Sequence, residues 1–154
     1  MLQTDQYSIP YPFMLFDSLN EGVYILDTDW RFIYVNSKAA EIQGRPREEL
    51  LGKNIWELYP EAVETVSYAQ AHHAISENTP VNYEAYFSQL KTWFECRMYP
   101  CTEGLVVLLQ DISERKRQEE ALRQSQERAK RLVDANIIGV VISERLYPAT
   151  CQTA

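Results

Sequence analysis

Lys91–Gln118 reads KTWFECRMYPCTEGLVVLLQDISERKRQ, two strand patterns followed by a change of period. Between Lys91 and Tyr99, Trp93, Glu95 and Arg97 point one way while Phe94, Cys96 and Met98 point the other, as the two-residue pleat requires. Pro100–Gly104 is turn chemistry, with proline to set φ and glycine to supply an unusual backbone angle. Leu105–Leu109 is an unbroken apolar run, short enough for a strand buried on both faces. At Asp111 a charged segment begins. Asp111 is placed to cap a helix, and Glu114 three residues on completes a capping-box-like pair. A buried strand therefore feeds directly into a charged helix that leaves the domain.

Upstream, Val81–Phe87 alternates Val81, Tyr83, Ala85 and Phe87 against Asn82, Glu84 and Tyr86, the pattern of a further strand. Glu61–Asn78 is the longest helical pattern before it, with Ala62, Val66, Ala69 and Ile75 near one face and Asn78-Thr79-Pro80 as its stop. Near the start, Gly22–Asp27 and Arg31–Val35 are β-rich runs joined by Thr28-Asp29-Trp30, a hairpin pattern. Asn36-Ser37 caps a short helix that Gly44 ends, Pro46–Leu51 makes a helical turn up to Gly52, and Asn54–Tyr59 makes another before Pro60. Pro12–Leu19 has Phe13, Phe16 and Leu19 on one helical face, after an arm at Met1–Tyr11. Two strands, several short helices and three strands make an α+β fold, with helices on one side of an antiparallel sheet.

Composition narrows the function. A chain of 154 residues, 45% hydrophobic, supplies one core with some surplus. No run approaches the length of a membrane span, and the N-terminus lacks a signal peptide's basic start and apolar core. Cys96, Cys101 and Cys151 have no metal-ligand spacing and read as free thiols in a reducing cytoplasm. Residues 1–110 hold 7 Lys/Arg against 15 Asp/Glu, a net charge of −8, and residues 111–154 hold 8 against 7. An acidic globular part argues against nucleic acid as partner, and the later basic residues alternate with Glu as on a solvated helix face. No phosphate loop, metal cluster or nucleophile–base arrangement supports catalysis, so enzymatic output is expected on a separate downstream segment.

Asp111-Ile112-Ser113-Glu114-Arg115-Lys116 resembles the Asp-Ile-Thr-Glu-Arg-Lys sequence that closes PAS domains of bacterial sensor proteins, with Ser113 in place of Thr. The resemblance extends back through Trp93-Phe94-Glu95, Tyr99-Pro100, Glu103-Gly104-Leu105 and Gln110-Asp111, covering roughly Leu15–Arg117. It implies a PAS fold: a five-stranded antiparallel sheet with short helices on one face, the two N-terminal strands mid-sheet, and a C-terminal amphipathic, coiled-coil helix. The expected order is an N-terminal arm at 1–14, a PAS domain at 15–110 and a signalling helix at 111–132. A truncated second PAS start at 133–143 and a tail at 144–154 follow. The second start rests on an internal repeat: Asp17, Gly22, Val23 and Ile25 recur as Asp134, Gly139, Val140 and Ile142.

The implied function is a cytoplasmic sensory or relay module of a multi-domain histidine kinase, signalling through Asp111, Ile112, Ser113 and Glu114 to downstream domains of the same parent chain. The alternative is a ligand-free dimerisation module, as in a diguanylate cyclase-type or other multi-PAS protein. Leu122, Ala129 and Leu132 fit a heptad seam with Ser125 in the fourth place, so a parallel homodimer is expected, aided by apolar surface near Phe13 and Phe16.

Tyr34, Trp56, Tyr68, His72, Tyr83, Trp93, Cys96 and Met98 are the candidates for lining a small-molecule pocket, with Phe94 beside them. The competing reading is that these aromatics simply fill a core. Some PAS domains place a haem-ligating histidine where His72-His73 stands, but these neighbours point about 100° apart and no supporting motif accompanies them. Light-sensing relatives carry a reactive Cys in a helix where this chain has Asn54-Ile55-Trp56-Glu57-Leu58, which speaks against a cysteinyl flavin adduct there. No cofactor is expected, and an unidentified small molecule is left open. Glu84 and Arg97, on adjacent strands, are read as a surface pair or as a site for a ligand carboxylate.

Overall fold

A computed structural model describes the backbone of residues 15–146 and the side chains of residues 15–136. The chain divides into two compact units, one through Ser113 and one from Glu114 onward. The first is a five-stranded antiparallel sheet: β1 (Gly22–Asp27), β2 (Phe32–Val35), β3 (Val81–Phe87), β4 (Thr92–Cys101) and β5 (Gly104–Asp111). Its spatial order is β2-β1-β5-β4-β3. Only β1 of the two N-terminal strands lies inside the sheet; β2 is an edge, which corrects the mid-sheet expectation for it. Bridges from Arg31 to Asn54 and from Phe32 to Leu51 cover that edge and occupy some of its backbone groups.

The connecting helices are α1 (Ser37–Gln43), α2 (Arg47–Leu50), α3 (Ile55–Leu58) and α4 (Val66–Ser76), with a 3₁₀ segment at Pro60–Glu64. Asn36 caps α1 and Gly44, at φ 67°, ends it. The helix expected over Glu61–Asn78 is broken at Thr65, which is extended, while its hydroxyl donates to the Ala62 carbonyl at 2.6 Å. The face also differs. Ala71 and Ala74 are the buried residues of α4, and Val66 and Ile75 are exposed. Small side chains let the helix lie close to the sheet, leaving the larger ones at its rim.

The main core joins one sheet face to the helices through Leu26, Phe32, Val35, Leu50, Phe94, Cys96, Leu105 and Val107, among others. A smaller cluster of Val23, Ile25 and Tyr34 covers the opposite face, with Phe16, Val106 and Leu108 packed on it. β5 is thus apolar towards both faces, as its unbroken run requires. Gly104 permits the tight β4–β5 turn: at φ 146° a Cβ would stand 2.1 Å from the Leu26 carbonyl oxygen.

One buried polar residue organises the entry to this unit. Asn36, 0% exposed, accepts from the backbone N–H groups of Val23 (2.9 Å) and Ala39 (2.8 Å). Its amide donates to the carbonyls of Phe16 (2.8 Å) and Glu21 (2.9 Å). One side chain therefore caps α1 and ties it to β1 and to the preceding segment.

Helix α5 begins at Ser113, the last residue of the first unit, and its backbone continues through the second to Leu146. It therefore runs through Gly139–Ile142, where the internal repeat anticipates a strand. A strand there would need a ladder partner, whereas a helix satisfies its backbone groups within itself. Of the short helix expected at Pro12–Leu19, Leu15–Asp17 is helical; Phe13 and the arm at Met1–Tyr11 lie outside the described residues, as does Cys151.

Candidate functional site

A cavity of about 290 Å³ lies between the inner sheet face and the layer formed by α3, the 3₁₀ segment and α4. Its floor comes from strand residues that the pleat turns inward: Tyr24 and Leu26 of β1, Tyr83 and Ala85 of β3, Phe94, Cys96 and Met98 of β4, and Leu105, Val107 and Leu109 of β5. Its roof includes Ile55, Trp56, Tyr59 and Ala71. Exposed Glu61, Ser88, Gln89 and Leu90 also line it and mark its rim. The volume sits near the lower end of small-molecule sites.

The interior disfavours charge. Burial pushes the Cys96 thiol up to about 11, opposed in part by the neighbouring Tyr83 hydroxyl, with the Glu95 charge a smaller contribution upward. Burial is also the leading cause that raises the Tyr24 and Tyr83 phenols above their usual range. The Tyr83 hydroxyl is buried beside Ser67 and Cys96 without completing a hydrogen bond of good geometry to either, and the buried Trp56 indole N–H is likewise unpartnered.

The eight sequence candidates fall into three places. Trp56, Tyr83, Cys96 and Met98 line the cavity. Tyr68 and His72 do not; they join Trp30 and Trp56 in an aromatic stack. The His72 ring lies 4.4 Å from that of Trp30 and 4.0 Å from that of Tyr68, and its Nδ1 is 2.9 Å from the Tyr68 carbonyl. His72 thus stacks on Trp30 and Tyr68 and, through Nδ1, contacts the carbonyl one turn back on its own helix. Among the described residues, no group of three His, Cys, Asp or Glu could hold a metal ion.

Tyr34 and Trp93 stand on the opposite sheet face. Tyr34 packs with Val23, Ile25 and Phe16, and Trp93 pairs with Tyr86 at 5.6 Å. For Tyr34 the cause is a β-bulge: Leu26 pairs with Phe32 but Ile25 pairs with Tyr34, so Ile33 is the extra residue. Without it Phe32 and Tyr34 would share a face; with it they part. The sequence reading omitted Tyr24, Tyr59 and Glu61. Tyr24 was accessible to it, because period two places it with Leu26.

Arg97 pairs with Glu21 at 2.8 Å rather than with Glu84, which stands opposite Glu95 in the β3–β4 register. Glu21 precedes β1, and the β4 register together with the Asn36 tie at Glu21 brings it within reach of Arg97.

The strand-to-helix junction is held at three points. The Asp111 carboxylate accepts from the Ser113 N–H at 2.8 Å; because α5 begins at Ser113, Asp111 stands one residue before the N-cap position. Ile112 donates its N–H to the Trp93 carbonyl at 2.9 Å, and the Ser113 hydroxyl accepts from the Trp93 N–H at 3.1 Å. Both Glu114 oxygens are engaged forward along α5, by Arg117 and Gln118. Those contacts hold the Glu114 carboxyl below its ordinary range. Further along α5, the seam residues Leu122 and Leu132 are 59% and 66% exposed, and Ala129 is exposed as well.

A family model described as the PAS fold matches residues 16–117, more than half of the chain. The chain belongs to the PAS fold family. It is a PAS sensory domain followed by a long helix, and the cavity lies between the PAS sheet and its helices. Solved structures agree on the PAS fold. A domain of an HTR-like protein from Haloarcula marismortui is similar at 15% identity and TM-score 0.53, over 61% of this chain and 99% of that one. The PAS domain of the histidine kinase ThkA is similar at 23% and 0.50, over 59% and 99%. A sensory box sensor histidine kinase from Vibrio cholerae is similar at 18% and 0.53, over 65% and 87%. At these identities the likeness shows the fold alone. No curated protein matches by sequence. Among the described residues, no helix is long and apolar enough to cross a membrane.

Proposed function

We propose that this chain is the sensory and relay module of a cytoplasmic bacterial sensor histidine kinase, in which a small molecule in the PAS cavity biases the start of α5. The observation that carries this reading is that β5 serves both places. Leu105, Val107 and Leu109 wall the cavity, and two residues after Leu109 the same strand reaches Asp111, whose carboxylate holds the Ser113 N–H. A ligand that moves β5 relative to β4 acts on the Trp93 backbone contacts with Ile112 and Ser113, which lie at that junction. The PAS domain of the histidine kinase ThkA and the Vibrio cholerae sensory box sensor histidine kinase, both among the similar solved structures, support the parent class.

The relay runs through a parallel homodimer of α5, with Leu122, Ala129 and Leu132 at the seam. Two or three heptads with a polar fourth position make a weak coiled coil, one that a small bias at its start can shift. Helical phase tests this in the full-length parent. Each residue inserted between Gln118 and Gln126 turns whatever follows by about 100°, while seven nearly restore the seam. Insertions of two or three residues should lock or abolish autophosphorylation, and seven should largely restore it. Output indifferent to insertion length would reduce the helix to a tether.

A further inference from the structure

The cavity wall specifies its ligand by what it lacks. Among the described residues, its lining contains no Lys, Arg or His, and Glu61, exposed at the rim, is its only carboxylate. The nearby cation Arg45 lies over the Tyr59 ring, 5.6 Å from the centroid, and is not part of the lining. The deep wall is largely apolar: Leu26, Ala71, Cys96, Leu105 and Val107 are each 0–1% exposed. A carboxylate, sulfonate or phosphate entering there would lose its hydration with no counter-charge to replace it. The net charge of −8 over residues 1–110 opposes its approach as well. Around the gap stand Tyr24, Trp56, Tyr83 and Phe94, flat surfaces suited to stacking on a ring.

We infer that the cavity takes an uncharged, mainly apolar molecule of one or two rings, its polar end directed to the rim at Glu61, Ser88 and Gln89, and that it rejects anions. This rests on the reading of the cavity as a ligand site. The raised thiol of Cys96 agrees with it, since the same surroundings that resist a thiolate resist a bound anion.

A matched pair of probes tests the class separately from the site. Naphthalene is uncharged and naphthalene-1-sulfonate carries a sulfonate on the same two-ring body. The neutral probe should bind with one-to-one stoichiometry, and the sulfonate should displace it at least ten times more weakly. Ala85→Phe and Ala71→Leu, each adding bulk to the wall, should weaken the neutral probe at least tenfold. Ala85 is half-buried on an edge strand, so that variant still reads out if the buried Ala71 change compromises folding. If both probes bind equally and both are lost in Ala85→Phe, the ligand class is wrong and the site stands. If the neutral probe fails to bind, or binds unchanged to folded Ala85→Phe, the cavity reading falls and the inference with it.

Discussion

Asn36→Ala and Asn54→Ala remove the same residue type from the same kind of position, a helix N-cap, and should differ severalfold in cost. Asn54 Oδ1 accepts from the N–H groups of Trp56 (2.9 Å) and Glu57 (3.2 Å), and its amide donates to the Asp29 carbonyl at 2.8 Å, all at a partly exposed position. Water can replace those partners, so its loss should cost about 1 kcal/mol, the usual value of a cap. Asn36 is fully buried and its four partners span three segments. Losing the cap to Ala39 costs about 1 kcal/mol. Leaving the Val23 N–H buried and unpaired adds about 1–3 kcal/mol, and the carbonyls of Phe16 and Glu21 add about 0.5 each. The sum, about 3–5 kcal/mol, is a large part of the 5–15 kcal/mol that typically holds a domain together. Urea unfolding followed by tryptophan fluorescence measures both variants in one assay, provided their slopes agree with the parent's. Costs within about 1 kcal/mol of each other would show that Asn36 acts as a cap and nothing more, refuting its role as the tie between β1 and α1.

Gly104→Ala should cost more than about 3 kcal/mol, because the new Cβ meets the Leu26 main-chain oxygen and neither side can yield cheaply; a loss under about 1 kcal/mol in the same assay would contradict the geometry. Alkaline pH should destabilise the domain. Cys96 has a folded pKa of about 11 against an ordinary 9.0, so its contribution is complete below about pH 9 and is lost as pH rises towards 11. Tyr24 and Tyr83, raised from 10.0, act in the same direction a unit later, and a melting temperature constant from about pH 8 to 11 would refute this. In a Cys151→Ser background, a thiol reagent should label exposed Cys101 in the native protein and buried Cys96 only on unfolding; equal rates would contradict the packing. Asp111→Ala removes the bond to the Ser113 N–H and should cost about 1 kcal/mol by urea unfolding while changing kinase output in the parent far more; unchanged output would separate that bond from the relay.

What the amino-acid sequence determines by itself is local. The pleat turns Phe94, Cys96 and Met98 to one face wherever β4 goes, and Asn36, Gly44 and Asn54 cap or end helices through atoms a few residues away. Those rules follow from covalent geometry, so the succession of strands along the chain and most helix limits were legible, whereas the edge position of β2 was not. Alternation also assigned Trp93 to the face of Glu95 and Arg97, and placing it with the cavity residues set that rule aside. Tyr34 is different. One inserted residue, Ile33, reverses its face, and no periodicity announces a bulge that partner strands create. The break at Thr65 and the burial of Ala71 and Ala74 in place of Val66 and Ile75 depend on how closely a helix can approach a sheet. The cavity belongs to the same class. Whether aromatic side chains fill a core or leave a gap is a difference between summed volumes from four strands and the helices above them. That difference is settled only when all of them are packed against one another.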